Sequence, residues 1–315
     1  MTPFTVREAV SADAPGIRRL FARVFGRELT DEEWTWKFER NPDGWFGVVA
    51  VLEDEIVGNY SGCGVRLLVD GRQAPSFAVG DVATDPRVRG LGGRQGVFRS
   101  MAELFYRRIE GLGIPFCFGF PGGRHLSLSH RVVKSRTLFA VREIHAPCDS
   151  FPPPPAGLVT GDWVGEGFDP LWSAASRFLS YAAVRDRARV NWRFHARPSR
   201  YYRMVWLEGP TGTTGWSVLS IDGESALVAD FLGSDPDGGD LTALFSGAAA
   251  EARRFGAKRL VFWETPGGPA REVLARLPGE RRDAGFPIIV RTFDDDAADR
   301  FAAGVHLTPA LYDMV

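Results

Sequence analysis

Three landmarks occur twice in this chain, in the same order, on either side of four consecutive prolines at residues 152–155. An aromatic-basic-aromatic triplet followed by a proline begins each series, at Trp36-Lys37-Phe38 and at Trp192-Arg193-Phe194. The later landmarks are Val79-Gly80-Asp81 with Asp85-Pro86, then Pro121-Gly122-Gly123, and in the second series Val228-Ala229-Asp230 with Asp235-Pro236, then Pro266-Gly267-Gly268. Such repetition indicates a tandem duplication and predicts two copies of one structural unit.

The proline run also marks the predicted domain boundary. Consecutive prolines fit neither a helix interior nor a central strand, and they favour an extended spacer. We therefore predict a first domain over residues 1–149, a linker over 150–157 and a second domain over 158–315. A chain of this length has room for two domains of ordinary size.

Composition argues against several classes of protein. No stretch of eighteen apolar residues is present and the N-terminus is polar, so we predict neither a membrane span nor a signal peptide. A formal net charge of −1 gives no general affinity for nucleic acid or membranes. Three widely spaced cysteines and five scattered histidines predict neither a disulfide framework nor a metal site, and we expect a cytoplasmic protein.

Hydrophobic periodicity predicts strands and helices in alternation. In the first copy we expect strands at 4–10, 46–52, 55–68, 77–83 and 114–120, and helices at 11–25, 31–40 and 92–110. The second copy repeats this order, with a helix at 185–195 and a long helix at 241–255. The predicted fold class is mixed α/β (α+β), with two tandem domains that each have a mostly antiparallel sheet and helices on both faces.

The segment that indicates chemistry runs from Asp81 to Arg94, where a strand passes through a glycine-rich, basic turn into a long helix. Backbone N–H groups at a helix start lack partners within the helix, and the helix dipole adds positive charge. Three glycines let the backbone approach a phosphate, and three arginines add charge-assisted contacts. The segment therefore predicts a pyrophosphate site, although it lacks the patterns of nucleoside-triphosphate and dinucleotide loops.

Arg87-Val88-Arg89-Gly90-Leu91-Gly92 resembles the Gln/Arg-x-x-Gly-x-Gly/Ala cofactor signature of the GNAT superfamily of acyl-CoA-dependent N-acyltransferases, and the whole chain resembles its members with two such domains. The resemblance implies acetyl-CoA as co-substrate, no metal, and a fourth strand that bulges near Val82 and Ala83 and splays from the fifth. The cofactor-binding residues it implies are Val82, Ala83, Thr84, Arg87, Val88, Arg89, Gly90, Leu91, Gly92, Gly93 and Arg94.

The second copy lacks this loop. After Asp235-Pro236 it reads Asp237-Gly238-Gly239-Asp240, with no arginine and with carboxylates that would repel a pyrophosphate. We therefore expect one cofactor site per chain, in the first domain.

The sequence determines the catalytic groups less well. Asp81 ends a strand beside the expected acyl site and is a candidate base, but Asp230 occupies the same place in the copy without the loop, which favours a structural role. Members of the family often supply a tyrosine as the acid after the position of Pro121-Gly122-Gly123, and none occurs here. His125 and then His130 are the candidate proton carriers.

Alternatives to these groups stay open. Both histidines also fit surface or helix-end positions, and Ser127 is a further candidate. In some multi-domain relatives the C-terminal carboxylate, here that of Val315, reaches the active site, although a final strand or a frayed tail is the simpler interpretation.

The function implied is direct transfer of an acetyl group to a primary amine of a small polar molecule, by a monomer or homodimer without nucleic-acid or membrane partners. A protein or peptide amine is the other acceptor class. A non-catalytic acyl-CoA sensor is the alternative from a different functional class, and the missing tyrosine is the feature that favours it.

Overall fold

The computed structural model describes residues 4–162, 164–166, 168–210 and 212–312, without the side chains of Arg94 and Arg124. Its strands are β1 (Thr5–Glu8), β2 (Trp45–Leu52), β3 (Glu55–Val69), β4 (Arg72–Thr84), β5 (Phe116–Gly119), β6 (Arg136–Pro147), β7 (Leu158–Gly161), β8 (Tyr181–Ala183), β9 (Arg203–Gly209), β10 (Gly212–Asp222), β11 (Ser225–Gly233), β12 (Arg259–Trp263), β13 (Glu280–Thr292) and β14 (Val305–His306).

The helices are α1 (Ala14–Phe25), α2 (Asp31–Trp34), α3 (Val97–Gly111), α4 (Gly123–Leu128), α5 (Phe168–Ala175), α6 (Arg187–Val190), α7 (Gly239–Arg254), α8 (Ala270–Arg276) and α9 (Asp295–Gly304). Three of the short ones, α2, α4 and α6, each continue into a five-residue π-helical turn, at Thr35–Glu39, Ser129–Val133 and Asn191–His195. Within the described ranges, no helix is long and apolar enough to cross a membrane.

The chain divides into two compact units, and neither is continuous in sequence. The first unit comprises residues 1–65, 75–138 and 287–298, and the second comprises 66–74, 139–286 and 299–315. Each unit therefore includes segments from both sides of the proline run. The linear division into 1–149, 150–157 and 158–315 stays a prediction about the repeat.

In the first unit the strand order is β1-β2-β3-β4-β5-β13. The strands β1 to β3 are antiparallel, β4 runs parallel to β5, and the C-terminal half of β13 pairs antiparallel with β5. Alternate side chains of a strand face opposite sides of a sheet. Accordingly Val48 packs with Met101 and Phe105 of α3, whereas Val49 packs with Leu20 of α1, so helices cover both faces.

The second unit has the same construction. The strand β6 pairs antiparallel with β12, β12 runs parallel to β11, and β11, β10, β9 and β7 follow as antiparallel neighbours. One core contains Phe245 and Ala249 of α7, and the other contains Trp172 of α5 with Phe194. The predicted fold class, with helices on both faces of mixed sheets, is confirmed.

The long helix of the first unit begins later than predicted. A helix was expected from Gly92, but α3 begins at Val97, and Gly92 and Gly93 have φ angles of +83° and +54°. A left-handed backbone is incompatible with a right-handed helix, so residues 92–96 stay in the loop. The helix predicted at 185–195 likewise begins at Arg187, because Asp186 caps it by accepting a hydrogen bond from the Arg189 N–H.

Candidate functional site

The loop between β4 and α3 combines glycine conformations with a free helix start. Gly90, Gly92 and Gly93 all have positive φ, at +95°, +83° and +54°. A Cβ built on Gly90 or Gly93 would meet nothing within 4 Å, so the backbone there is open to a ligand. The cap residue of α3 is Gly96, which has no side chain to bind the first N–H groups of this 15-residue helix. These N–H groups and the helix dipole favour an anion at this place.

An ion-pair network anchors the start of the loop. Asp85 is 1% exposed and accepts hydrogen bonds from the backbone N–H and the guanidinium of Arg87. Arg23 of α1 also reaches Asp85, at 3.0 Å, and Glu55 pairs with both arginines. The hydrogen bonds from Arg87 hold the pKa of the Asp85 carboxyl well below its usual range. Arg87, expected at the phosphate, thus shares its guanidinium with two carboxylates.

The other residues predicted to bind the cofactor lie in different surroundings. Arg89 is exposed and donates from Nε to the Thr84 carbonyl at 3.3 Å. Val88 is buried in a hydrophobic core, and Leu91 is partly buried against the same core. The side chain of Arg94 lies outside the described part of the structure.

The strand β4 pairs with β5 near the C-terminal end of β5. Ala78 pairs with Phe118, and the Ser76 hydroxyl donates to the Phe116 carbonyl at 2.9 Å. The strand β5 then ends at Gly119, while β4 continues through Val82 and Ala83 to Thr84. The main chain of β4 beyond Ala78 therefore runs next to the end of β5 and on into the glycine loop.

The equivalent loop of the second unit is closed by its own carboxylate. Asp235 accepts the backbone N–H groups of Asp237 at 2.9 Å and of Gly239, the first residue of α7, at 2.8 Å. Asp240 follows in the first helical turn and binds Ser234. The start of α3 in the first unit has no side-chain cap, whereas in the second unit the N–H group at the start of α7 already donates to a carboxylate.

Residues 5–128 match the family model of the GNAT acetyltransferase domain. This match covers β1 to β5 and the loop before α3. None of the curated proteins compared with it matches.

Solved structures support the fold along nearly the whole chain. A probable N-acyltransferase from Enterococcus faecalis V583 is 14% identical with a TM-score of 0.72, over 94% of this chain and 74% of that one. A GCN5-related N-acetyltransferase from Anabaena variabilis has the same identity and coverage and a TM-score of 0.69. An N-myristoyltransferase from Saccharomyces cerevisiae with bound myristoyl-CoA is 13% identical, with a TM-score of 0.57, over 92% of this chain and 83% of that one. At these identities the likeness establishes the fold.

The fourth strand of this GNAT domain is kinked at Asp81, where φ is +52°. The Asp81 carboxylate pairs with Lys37, a buried residue in the π-helical turn after α2. Its carbonyl accepts a 2.8 Å hydrogen bond from the side-chain amide of Asn59 on β3. The sequence-based reasoning did not identify Lys37 and Asn59 as part of this site, although Lys37 belongs to the repeated aromatic-basic-aromatic triplet.

Asp230, at the same place in the second repeat, is fully enclosed. It is 3% exposed and accepts hydrogen bonds from the Arg185 guanidinium at 2.9 Å and from the Thr308 hydroxyl at 2.8 Å. Arg193, in the second triplet, donates to the carbonyls of Ala310 and Tyr312. The C-terminal segment of the second unit therefore covers this carboxylate. Val315 and its carboxylate lie outside the described residues.

Of the two candidate histidines, His125 has the more enclosed position. It lies on α4, with its ring 5.8 Å from that of Phe98 near the start of α3. Burial lowers its pKa from the usual value, so its imidazole is neutral at pH 7. A neutral imidazole can accept a proton, but it is a weak donor. His130 is exposed and lies 3.2 Å from the Thr137 hydroxyl, in the π-helical turn after α4.

The remaining candidate residues are Ser127 and the buried cysteines. Ser127 is exposed, and its backbone carbonyl accepts a hydrogen bond from the Arg131 side chain. Burial raises the pKa of the Cys117 thiol to about 12, and it also raises that of Cys148, so neither is a thiolate at pH 7. Among the described residues no group of three or more histidine, cysteine, aspartate or glutamate side chains is arranged to hold a metal ion.

Proposed function

We propose that this acyltransferase moves an acetyl group from acetyl-CoA to the primary amine of a small polar molecule, at one site formed by β4 and the loop before α3. The difference between the two loops carries the proposal. The first presents glycine backbone and an uncapped helix start, whereas Asp235 caps the second.

The residues of the first loop suit a pyrophosphate. The open space above Gly90 and Gly93 leaves room for phosphate oxygens, and Arg89 is exposed beside them. Arg87 fixes the base of the loop through Asp85, so its contribution is partly to hold the loop in shape. In this proposal the contacts predicted for residues 82–84 and 87–94 come mainly from backbone N–H groups.

The chemistry proposed is direct transfer. A neutral amine attacks the thioester carbonyl carbon, a C–N bond forms, the C–S bond breaks, and the proton that the amine loses ends on the leaving thiolate. Backbone N–H groups near Val82 and Ala83 polarise the carbonyl oxygen during this step. The neutral imidazole of His125 is suited to take the proton that the amine loses, whereas Asp81 is tied to Lys37 and is better suited to a structural role.

The test is a thiol-release assay with acetyl-CoA and a panel of amino sugars, polyamines and peptide amines. Turnover on one small polar amine is expected, with calorimetric binding of about one acetyl-CoA per chain. Binding without turnover on any amine would favour the acyl-CoA sensor, and two equivalent sites would contradict the single-site proposal. His125→Ala is expected to lower kcat and to leave acetyl-CoA binding unchanged. His130→Ala, which changes an exposed imidazole, is the matched control.

A further inference from the structure

Asp81 has an unusual backbone conformation for a residue within a strand. Six described non-glycine residues have a positive φ, and the other five lie in turns or at a helix end: Glu53, Asp54, Asp70, Lys134 and Ser199. Asp81 alone among them lies inside a strand. A left-handed conformation is disfavoured for an L-residue and persists only where its surroundings hold it.

Two contacts from other elements hold Asp81. Lys37 pairs with its carboxylate, and the Asn59 side-chain amide donates to its carbonyl oxygen at 2.8 Å. The carbonyl contact acts directly on the backbone, because it fixes the orientation of the peptide group that joins Asp81 to Val82. The same Asn59 nitrogen also donates to the Ser61 hydroxyl at 3.0 Å, which sets the orientation of the side chain.

Burial of Asn59 at this position carries a free-energy cost. It is completely buried, and its Oδ1 has no hydrogen-bond partner within the described structure. A buried acceptor without a partner lowers stability, and such a group in a folded protein calls for an explanation other than packing. An apolar side chain of similar size would fill the same volume without leaving a buried acceptor unpartnered.

We infer that Asn59 is a positioning residue for acyl transfer: its amide holds the Asp81 carbonyl, keeps β4 in its left-handed kink and so aims the main chain of Val82 and Ala83 at the thioester. This inference rests on the proposed function of the same site. It adds a residue on β3 that touches neither substrate and acts through the backbone of β4.

The second unit supports this assignment by contrast. The pairing of β10 with β11 also shifts by one residue near Asp230, between Val218 and Leu219. No residue of β11 is among the described ones with a positive φ, and Asp230 is held by side chains on its carboxylate. The left-handed kink therefore occurs in the unit with the open glycine loop, and β11 of the unit with the capped turn has no such kink among its described residues.

Asn59→Leu tests the inference in the full-length protein, because it removes the donor and the unpartnered acceptor and keeps the volume. We expect kcat to fall about 10- to 100-fold, since backbone donors that are misplaced by less than 1 Å lose most of their effect. The KM for acetyl-CoA should stay within about twofold, because the phosphate loop is unchanged. Asn59→Ser, which also removes the amide, is the second variant, and a loss of kcat is expected in it as well.

Asn41→Leu is the matched control. Asn41 is also buried in the first unit, and its amide donates at 3.2 Å to the carbonyl of Gly64, which belongs to β3 and not to β4. It should lose stability without a change in kcat. A wild-type kcat in folded Asn59→Leu or Asn59→Ser, or an equal loss of kcat in Asn41→Leu, would overturn the inference alone. A wild-type protein that acetylates no amine would overturn the proposed function and this inference with it.

Discussion

The two repeats differ most where β4 and β11 lead into their long helices. In the first unit eleven residues lie between Asp85 and Val97, and they include three glycines with positive φ, of which Gly90 and Gly93 are open to solvent. In the second unit three residues lie between Asp235 and Gly239, and the Asp235 carboxylate binds the helix start. The same strand-to-helix connection can therefore serve either as an anion site or as a self-capped turn.

A second difference concerns the aspartate that ends the second landmark of each repeat, Asp81 in the first and Asp230 in the second. In the first unit Asp81 pairs with Lys37 and keeps about a fifth of its side chain exposed. In the second unit Asp230 is enclosed by Arg185, Thr308 and the C-terminal segment. The same position of the repeat therefore holds an ion-paired aspartate in both units, and only the second unit buries it.

The largest effect is expected from removal of the enclosed carboxylate. Asp230→Ala leaves the Arg185 guanidinium buried without its charge partner, and the free energy of unfolding should fall by about 3–5 kcal/mol. Asp81→Ala should cost less, because a lysine side chain that loses its partner can reach water more easily. Urea unfolding of both variants measures this, and equal losses would contradict the difference between the two units.

Making the first loop resemble the second should weaken cofactor binding. Gly93→Asp introduces a carboxylate at an open position whose φ of +54° an aspartate tolerates. Repulsion of the pyrophosphate should raise the Kd for acetyl-CoA about 10- to 100-fold by calorimetry, or about 1.4–2.7 kcal/mol. Gly223→Asp, at an open turn of the second unit with φ +56°, is the control and should bind as wild type. An unchanged Kd in Gly93→Asp would remove the loop from the site.

The buried imidazole of His306 should make the stability of the second unit sensitive to acid. Burial, with a smaller effect from Arg185, lowers the pKa of His306 to about 3, whereas in the unfolded chain it is about 6.5. Below pH 6.5 the unfolded chain binds a proton that the folded one does not, so folding loses about 1.4 kcal/mol per pH unit from this group. Urea unfolding at pH 7.5 and 5.5 should show this loss in wild type and not in His306→Gln. Parallel pH dependence in the two proteins would exclude His306 as its source.

The smallest effect is expected at the self-capped turn. Asp235→Ala removes the acceptor for the N–H groups of Asp237 and Gly239, and should lower stability by about 1 kcal/mol, as for the loss of a helix cap. It should not create a second acetyl-CoA site, because the short turn still lacks the glycine loop and its arginines. A calorimetric stoichiometry of two in this variant would mean that Asp235 alone blocks binding.

Local patterns predicted the strands, helices and glycine-rich loop that form the candidate site. The order of strands and helices, the helix start after a glycine loop, and the absence of that loop from the second copy are all properties of short stretches. Apolar periodicity and glycine conformations are set by neighbouring residues, so a single sequence reveals them. The predicted start of α3 was wrong by five residues, because glycines compatible with a helix by spacing have left-handed φ angles.

The sequence by itself determined the fold class, the repeat and the glycine-rich connection between β4 and α3. Only the tertiary structure decided which strands complete each unit, that Arg87 is shared with Asp85 and Glu55, and that Asn59 holds the kink at Asp81. The physical reason is distance along the chain. Pairing of β13 with β5, and the contacts of Asn59 and Lys37 with Asp81, join residues separated by 22 to more than 150 positions, and no local pattern encodes such contacts.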